Sequence, residues 1–336
     1  MCNLKSNVVT DDNANTKSDY LDFVEAKFVQ CFRDKGFEEK KAVNITSQID
    51  DTVDFIGSKI SVMKPFVLNE DFGSFGRFII QNSIKLKALK CIRIPEAHKF
   101  GSYYKCMGTI SKPDIERMVC DTFDYFTSEQ YLNIPFDNLC IKICSQDDDL
   151  MHAIKGVDKR VNLEIDKASI EHYRHKYGME REQITGRDFN IGVKVEGTNK
   201  YFTCATFVLM ESPYKKIGID MGIGNCSLSM CKFNTASTVS SSRMADLVEI
   251  DSVQKEKFAD ALIATSIMFK EEVYDHPSNH FRKKYRQYLN ALMFWNEQFK
   301  YSYEELADLI VSFLNREYKN NYTQIRDIFL KKVNSR

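Results

Sequence analysis

Apolar residues along the chain follow helical and strand periods by turns in its first two thirds, then helical periods alone. In "DYLDFVEAKFVQCFRDKGF" they recur at helical spacing. Between Asp114 and Leu132, the residues Ile115, Met118, Val119, Phe123 and Phe126 share one stripe. Ser111, with Asp114 three residues later, fits a capping box at its start. "LKCIRIP", Leu89 to Pro95, reads as a strand. "NLCIKICS" alternates, with Leu139, Ile141 and Ile143 on one face. "YFTCATFVLM", Tyr201 to Met210, is apolar on both faces and therefore belongs in the middle of a sheet. "KKIGIDMGIGNCSLSMC" reads as a buried strand that turns through Gly222 and Gly224 into an apolar helix.

After that helix, "NTASTVSSS", Asn234 to Ser242, has little apolar content and no period, and reads as a linker. Then Phe258, Leu262, Met268 and Phe269 mark one helix. Phe281, Tyr285, Leu289 and Leu292 mark a second. Leu306, Leu309, Ile310, Phe313 and Leu314 mark a third, opened by Ser302 and Glu305 as a capping box. Ile325, Ile328 and Phe329 mark a last one. The expected layout is a disordered tail over 1–18, an α+β domain over 19–232, a linker over 233–252 and an all-helical domain over 253–336.

Composition narrows the picture by exclusion. Lysine plus arginine and aspartate plus glutamate both number 47, so bulk charge points to no partner, and a nucleic-acid site has to be a local patch. No apolar run reaches the length of about 18 residues that a membrane span needs. The polar N-terminus lacks the apolar centre of a signal peptide. Ten cysteines without a Cys-x-x-Cys pair fit a reducing, cytoplasmic compartment without structural disulfides. His172 with His175, and His276 with His280, lie among charged residues, so no zinc site is expected. "QDDDL", Gln146 to Leu150, reads as a solvated loop. Arg282, Lys283, Lys284 and Arg286 form a basic face beside Asn279. Such a face is either simply solvated or a contact for RNA phosphates.

Several stretches, in order, resemble one family. "GIDMGIGNCSLSM" resembles the third signature of class II aminoacyl-tRNA synthetases, most closely the alanyl form Asp-Thr-Gly-Met-Gly-Leu-Glu-Arg. "LKCIRI" is similar to that form's Cys-Val-Arg strand. "GSYYKCMGTIS" is similar to its Thr-Phe-Phe-Glu-Met-Leu-Gly-Asn-Phe-Ser segment. "FDYFTSEQYLNIPFDNLCIKICSQDDD" follows its next helix and strand. "HPSNHFRKKYRQYL" resembles Pro-Ser-Asn-Glu-Gly-Arg-Gly-Tyr-Val-Leu-Arg-Arg in the tRNA-recognition helices. The resemblance runs over residues 20–295. It implies a class II synthetase-like antiparallel sheet flanked by helices, followed by a helical tRNA-recognition domain. The family's editing and C-terminal domains have no counterpart in these residues.

The resemblance also assigns residues. Asp220 stands where the family binds the amino group of alanine, and its bland alternative is a cap on the turn before Gly222. Thr206 and Val208 stand at the wall and floor of that pocket. Gly222 and Gly224 match the signature glycines beside the nucleotide. Arg93 matches a strand arginine, and Lys99 stands in place of the arginine that grips the α-phosphate. Lys105 replaces a glutamate, and Ser227 replaces the arginine of the γ-phosphate. Lysine supplies charge without the planar fork of arginine, and serine supplies neither. The resemblance therefore implies ATP with Mg²⁺, a small amino acid and a tRNA acceptor stem as ligands. Asn279, Arg282, Lys283, Lys284 and Arg286 meet the RNA. Standard adenylation is expected to be impaired. The alternative is an active ligase or transferase in which Lys99, Arg93 and Lys105 rebuild the phosphate clamp.

Overall fold

The computed structural model describes residues 14–177, 179 and 181–335. Among them one sheet is built from β1 (Glu38–Glu39), β2 (Arg77–Ile84), β3 (Tyr103–Ser111), β4 (Leu139–Cys144), β5 (Asn162–Asp166), β6 (Arg174–His175), β7 (Thr185–Lys194), β8 (Tyr201–Glu211) and β9 (Lys216–Gly224). Its order is β1-β2-β3-β9-β8-β7-β4-β5, with β6 pairing β7. Neighbours from β2 through β4 are antiparallel, and β1 and β5 add parallel edges. The helices are α1 (Lys17–Asp34), α2 (Lys59–Leu68), α3 (Leu86–Leu89), α4 (Ile115–Thr127), α5 (Asp148–Ala153), α6 (Asn225–Phe233), α7 (Val253–Lys270), α8 (Asn279–Phe299), α9 (Tyr303–Tyr318) and α10 (Gln324–Asn334). The α+β architecture expected from the sequence, an antiparallel sheet flanked by helices with a helical C-terminal part, is the one observed.

Strand parity divides the two faces. Met107, Phe207, Leu209, Ile219 and Met221 point to one face and join Phe28, Phe32 and Phe126 of α1 and α4 in a core. Ile110 and Met210 point to the other face and meet Val62, Met63 and Val67 of α2. The C-terminal helices close a third cluster around Ile45, Phe55, Ile84 and Ile92, so they pack directly on the N-terminal part.

A buried charge network ties these layers together. Arg243 contacts Asp22 at 2.7 Å, Glu25 at 3.0 Å and Glu317 at 3.0 Å. Lys105 reaches Glu25 at 2.9 Å and Glu317 at 3.1 Å. The network joins α1, β3, α9 and the turn holding Arg243.

Several expectations need correction. Leu89–Pro95 is no strand: Leu89 ends α3 and turns follow, pinned where Trp295 Nε1 donates to the Ile92 carbonyl at 2.7 Å. The strand β9 runs on through Gly222 and Gly224, so the glycines form no turn. The helix α4 is capped by Asp114, whose side chain accepts from the Arg117 amide, while Ser111 ends β3. The capping box of Ser302 and Glu305 is present. Asp147 is buried as the cap of α5 and paired with Arg187, so the acidic run is no solvated loop.

The stretch 233–252 is packed. Ser237 donates to Glu256 Oε2 at 2.7 Å, Ser229 donates to the Ser241 carbonyl at 2.9 Å, and Arg243 is 1% exposed. Of the expected tail, residues 1–13 lie outside the described residues. Ser18 lies inside α1 and is held by Asp246 at 2.8 Å. No helix of the described residues is long and apolar enough to cross a membrane.

Candidate ligand cleft on the sheet face

The face of β3, β9 and β8 opposite the α1–α4 core opens into a cleft of about 780 Å³. In-register pairing sets its floor: Gly108 faces Gly222, Thr206 also faces Gly222, and Val208 faces Asp220. Even-numbered residues of β3 and β9 look into it, among them Tyr104, Cys106, Asp220 and Gly222. Parity explains one correction. Lys105 falls on the opposite face, where burial disfavours its ammonium but Glu25 and Glu317 outweigh that and raise its pKa. It is a strut of the core, outside the cleft lining.

Five lysines line the cleft, Lys59, Lys85, Lys87, Lys99 and Lys257, against two aspartates, Asp220 and Asp260, and no arginine. Lys99 lies in the loop before β3, with its ammonium 5.6 Å from the Phe202 ring centre. That loop is fixed from the stretch expected as a linker. The Thr238 amide donates to the Lys99 carbonyl at 2.9 Å, and Thr238 Oγ1 accepts from the Gly101 amide at 2.9 Å. Lys85 is exposed at the cleft, with its ammonium over the Tyr104 ring at 5.4 Å. Asp260 accepts from the Ser102 amide and hydroxyl at 2.6 and 2.9 Å. Burial pushes its carboxyl up to about 6, against those hydrogen bonds and the Lys257 field.

Asp220 is buried and ion-paired with Lys59, the first residue of α2. Lys59 Nζ also donates to the Thr109 carbonyl at 2.8 Å. Burial lowers the pKa of this lysine to about 7. Gly222 and Gly108 leave the side chain its path. Gly222 lines the cleft, and a Cβ there would make only ordinary van der Waals contact with Lys59, whereas Gly108 is what the lysine needs. Gly224 caps α6. It sits against Ser227, which also lines the cleft.

Beyond Val208, a polar chain runs up the wall. Thr206 Oγ1 donates to Asn190 Oδ1 at 3.0 Å, and Asn190 Nδ2 donates to Asp188 Oδ2 at 3.2 Å. His175 Nε2 lies 3.1 Å from the same Asp188 oxygen, and its ring stacks on Tyr177.

The remaining sequence-derived residues lie elsewhere. Arg93 is exposed and lies 5.7 Å from the Phe294 ring centre, outside the cleft lining. The fold therefore withdraws it from a shared clamp with Lys99. Asn279, Arg282, Lys283, Lys284 and Arg286 sit on the first turns of α8, also outside the lining. Arg282 donates to the Pro277 carbonyl at 2.9 Å, and Arg286 donates to Asn279 Oδ1 at 3.0 Å. Lys283 and Arg286 are exposed.

Sequence reasoning missed Lys59, Lys85, Lys87, Lys257 and Asp260. Lys59 had one faint signal, a lysine in the otherwise apolar opening of "KISVM". Among the described residues no cluster of three or more His, Cys, Asp or Glu is placed to hold a metal ion.

No protein-family model matches the chain, and no curated protein matches it. Three solved structures similar to it are aminoacyl-tRNA synthetases. Apo histidyl-tRNA synthetase from S. aureus shares 9% identity at a TM-score of 0.40, over 73% of this chain and 70% of that one. Pyrrolysyl-tRNA synthetase from Desulfitobacterium hafniense shares 8% at 0.35, over 66% and 73%. Aspartyl-tRNA synthetase from Entamoeba histolytica shares 8% at 0.35, over 68% and 59%.

Proposed function

We propose that the cleft binds a phosphate-bearing ligand of the ATP class, and that the chain is a divergent, alanyl-tRNA synthetase-like protein in which standard adenylation is impaired. One observation carries this reading: five lysines face two aspartates in one cleft, and both aspartates are already engaged by Lys59 and Ser102. The surplus positive charge, drawn from Lys85, Lys87, Lys99 and Lys257, suits a polyanion in a partly desolvated site. Phe100, 60% exposed at the cleft, offers a ring on which a base can stack.

The lining fits ATP better than it fits a metal. Neither carboxylate is disengaged for Mg²⁺, so the ion would enter on the phosphates. When bound it would neutralise phosphate charge. The chain's own part is to hold the phosphates with Lys85, Lys87 and Lys99. Lysine heads neutralise phosphate charge but do not orient it as an arginine fork does. Loss of one oriented electrostatic group costs about 10²–10³ in rate, which favours binding without efficient activation. The basic face of α8 supports a contact with the phosphates of an acceptor-stem RNA.

The test is ATP–pyrophosphate exchange across twenty amino acids, run beside ATP binding. Saturable ATP binding with background exchange is expected. Exchange well above background, lost on Lys99→Ala, would establish the alternative of an active ligase with a rebuilt clamp.

A further inference from the structure

A buried carboxylate at the floor of a cleft is a site for one ammonium. At Asp220 that ammonium comes from the chain itself. Lys59 starts at the first turn of α2 and crosses the sheet face to reach Asp220, and both side chains are less than a tenth exposed. The path depends on the missing side chain of Gly108, while a Cβ at Gly222 would only touch it. A Cβ on Gly108 would lie 2.5 Å from Lys59 Cε, and one on Gly222 would lie 3.6 Å from it. At Gly108 the backbone would also have to shift, because the Met221 carbonyl lies 2.5 Å from the same position. The glycine at β3 thus holds open a channel as wide as an alkyl chain. It ends at a carboxylate and a carbonyl that both receive Lys59 Nζ.

We infer that Lys59 is a specificity-determining plug: it fills the cleft's alkylammonium subsite, so the ligand admitted carries no amine at Asp220. The inference rests on the cleft being a ligand site, as proposed above. It follows that Asp220 does not receive the ammonium of an amino acid while Lys59 is in place. Removing the lysine side chain leaves a slot lined by Gly108 and Gly222 and closed by Asp220. The atoms deleted in Lys59→Ala, Cγ to Nζ, are those of n-propylammonium.

The test compares the parent, Lys59→Ala, and Lys59→Ala with Asp220→Asn, each melted in rising n-propylammonium chloride. Sodium chloride at equal ionic strength and n-propanol serve as controls. The expected result is a saturable rise in the melting temperature of Lys59→Ala, several times that of the parent. Neither n-propanol nor the double variant should show it. A Lys59→Ala protein indifferent to propylammonium, or a parent that responds equally, overturns the inference. If Lys59→Ala does not fold, calorimetry on the parent with alaninamide decides. No saturable heat is expected. Saturable binding that disappears in Asp220→Asn means that Lys59 does not occupy the subsite. These readouts involve no phosphate, so failure of ATP to bind leaves them standing and the two readings fail separately.

Discussion

Arg243 is the best place to perturb the charge network that joins the sheet to the C-terminal helices. It is 1% exposed and contacts Asp22, Glu25 and Glu317. Arg243→Met keeps an unbranched apolar stem and removes the guanidinium head with its charge. Glu25 and Glu317 then keep Lys105 as their only cationic partner among the described residues, with Asn225 and Tyr103 as neutral donors. Breaking a buried pair by removing one partner costs about 3–5 kcal/mol. The entropy of unfolding is about 2 cal/mol/K per residue, which for a chain of this length is about 0.7 kcal/mol/K. If the chain unfolds in one transition, the melting temperature falls by about 4–7 °C. Differential scanning calorimetry at neutral pH measures the fall. A double-mutant cycle with Glu317→Gln should show strong coupling, because Gln relieves the stranded charge. A fall below about 1 °C in Arg243→Met, or strict additivity with Glu317→Gln, would refute a network that ties the layers together.

Two further predictions follow from the same geometry. Burial raises the pKa of Glu25, but Lys105 and Arg243 outweigh it and hold the carboxyl down at about 2. A carboxyl depressed in the folded state stabilises above its unfolded value, so this contribution is present at pH 7 and drains away as pH falls from about 4.5 toward about 2. Urea midpoints of the parent and Glu25→Gln should therefore converge across that window, and a constant gap contradicts the assignment. On α8, Lys283→Ala with Arg286→Ala should lower the salt slope of acceptor-stem RNA binding by about two if both meet phosphates. An unchanged slope makes this face merely solvated.

The helices α1, α4 and α8 to α10 were legible because each buries a stripe at helical period, as Phe313 and Leu314 do in α9, whereas α7 is buried on all sides from Glu256 to Phe269. Central strands β8 and β9 were legible as apolar on both faces. The strands β2 and β7 were not, because polar side chains interrupt them. Gln81, Asn82 and Ser83 in β2 and Asp188 and Asn190 in β7 break the apolar pattern. In β7 those residues stand behind Thr206 and His175 of the cleft lining and hold them by polar contacts. The segment 89–95 misled in the opposite way. It alternates like a strand, yet Ile92 is buried under Trp295 while Ile94 is 42% exposed.

The serine-rich stretch after α6 looked like a linker because it is polar, but its hydroxyls find buried partners such as Glu256. Within the site, Asp220, Thr206, Val208, Gly222 and Lys99 were reachable by resemblance, and the cleft brings them together. Lys59, Lys85, Lys87 and Lys257 were beyond reach, because they come from α2, the start of α3 and α7, and nothing local in their sequence marks them as neighbours. Lys105 shows the converse: one step of strand parity moves a residue from the cleft to the core.

Lys85, Lys87 and Lys99 are the residues we propose to hold phosphates in the cleft. Calorimetric titration with ATP and with adenosine, on the parent and on the triple alanine variant, tests that assignment most directly. The parent should bind ATP at least about tenfold more tightly than adenosine, a preference of about 1.4 kcal/mol. In the triple variant that preference should vanish while adenosine binding stays as it was. Equal affinity of the parent for the two ligands, or an ATP preference that survives loss of all three lysines, would contradict it.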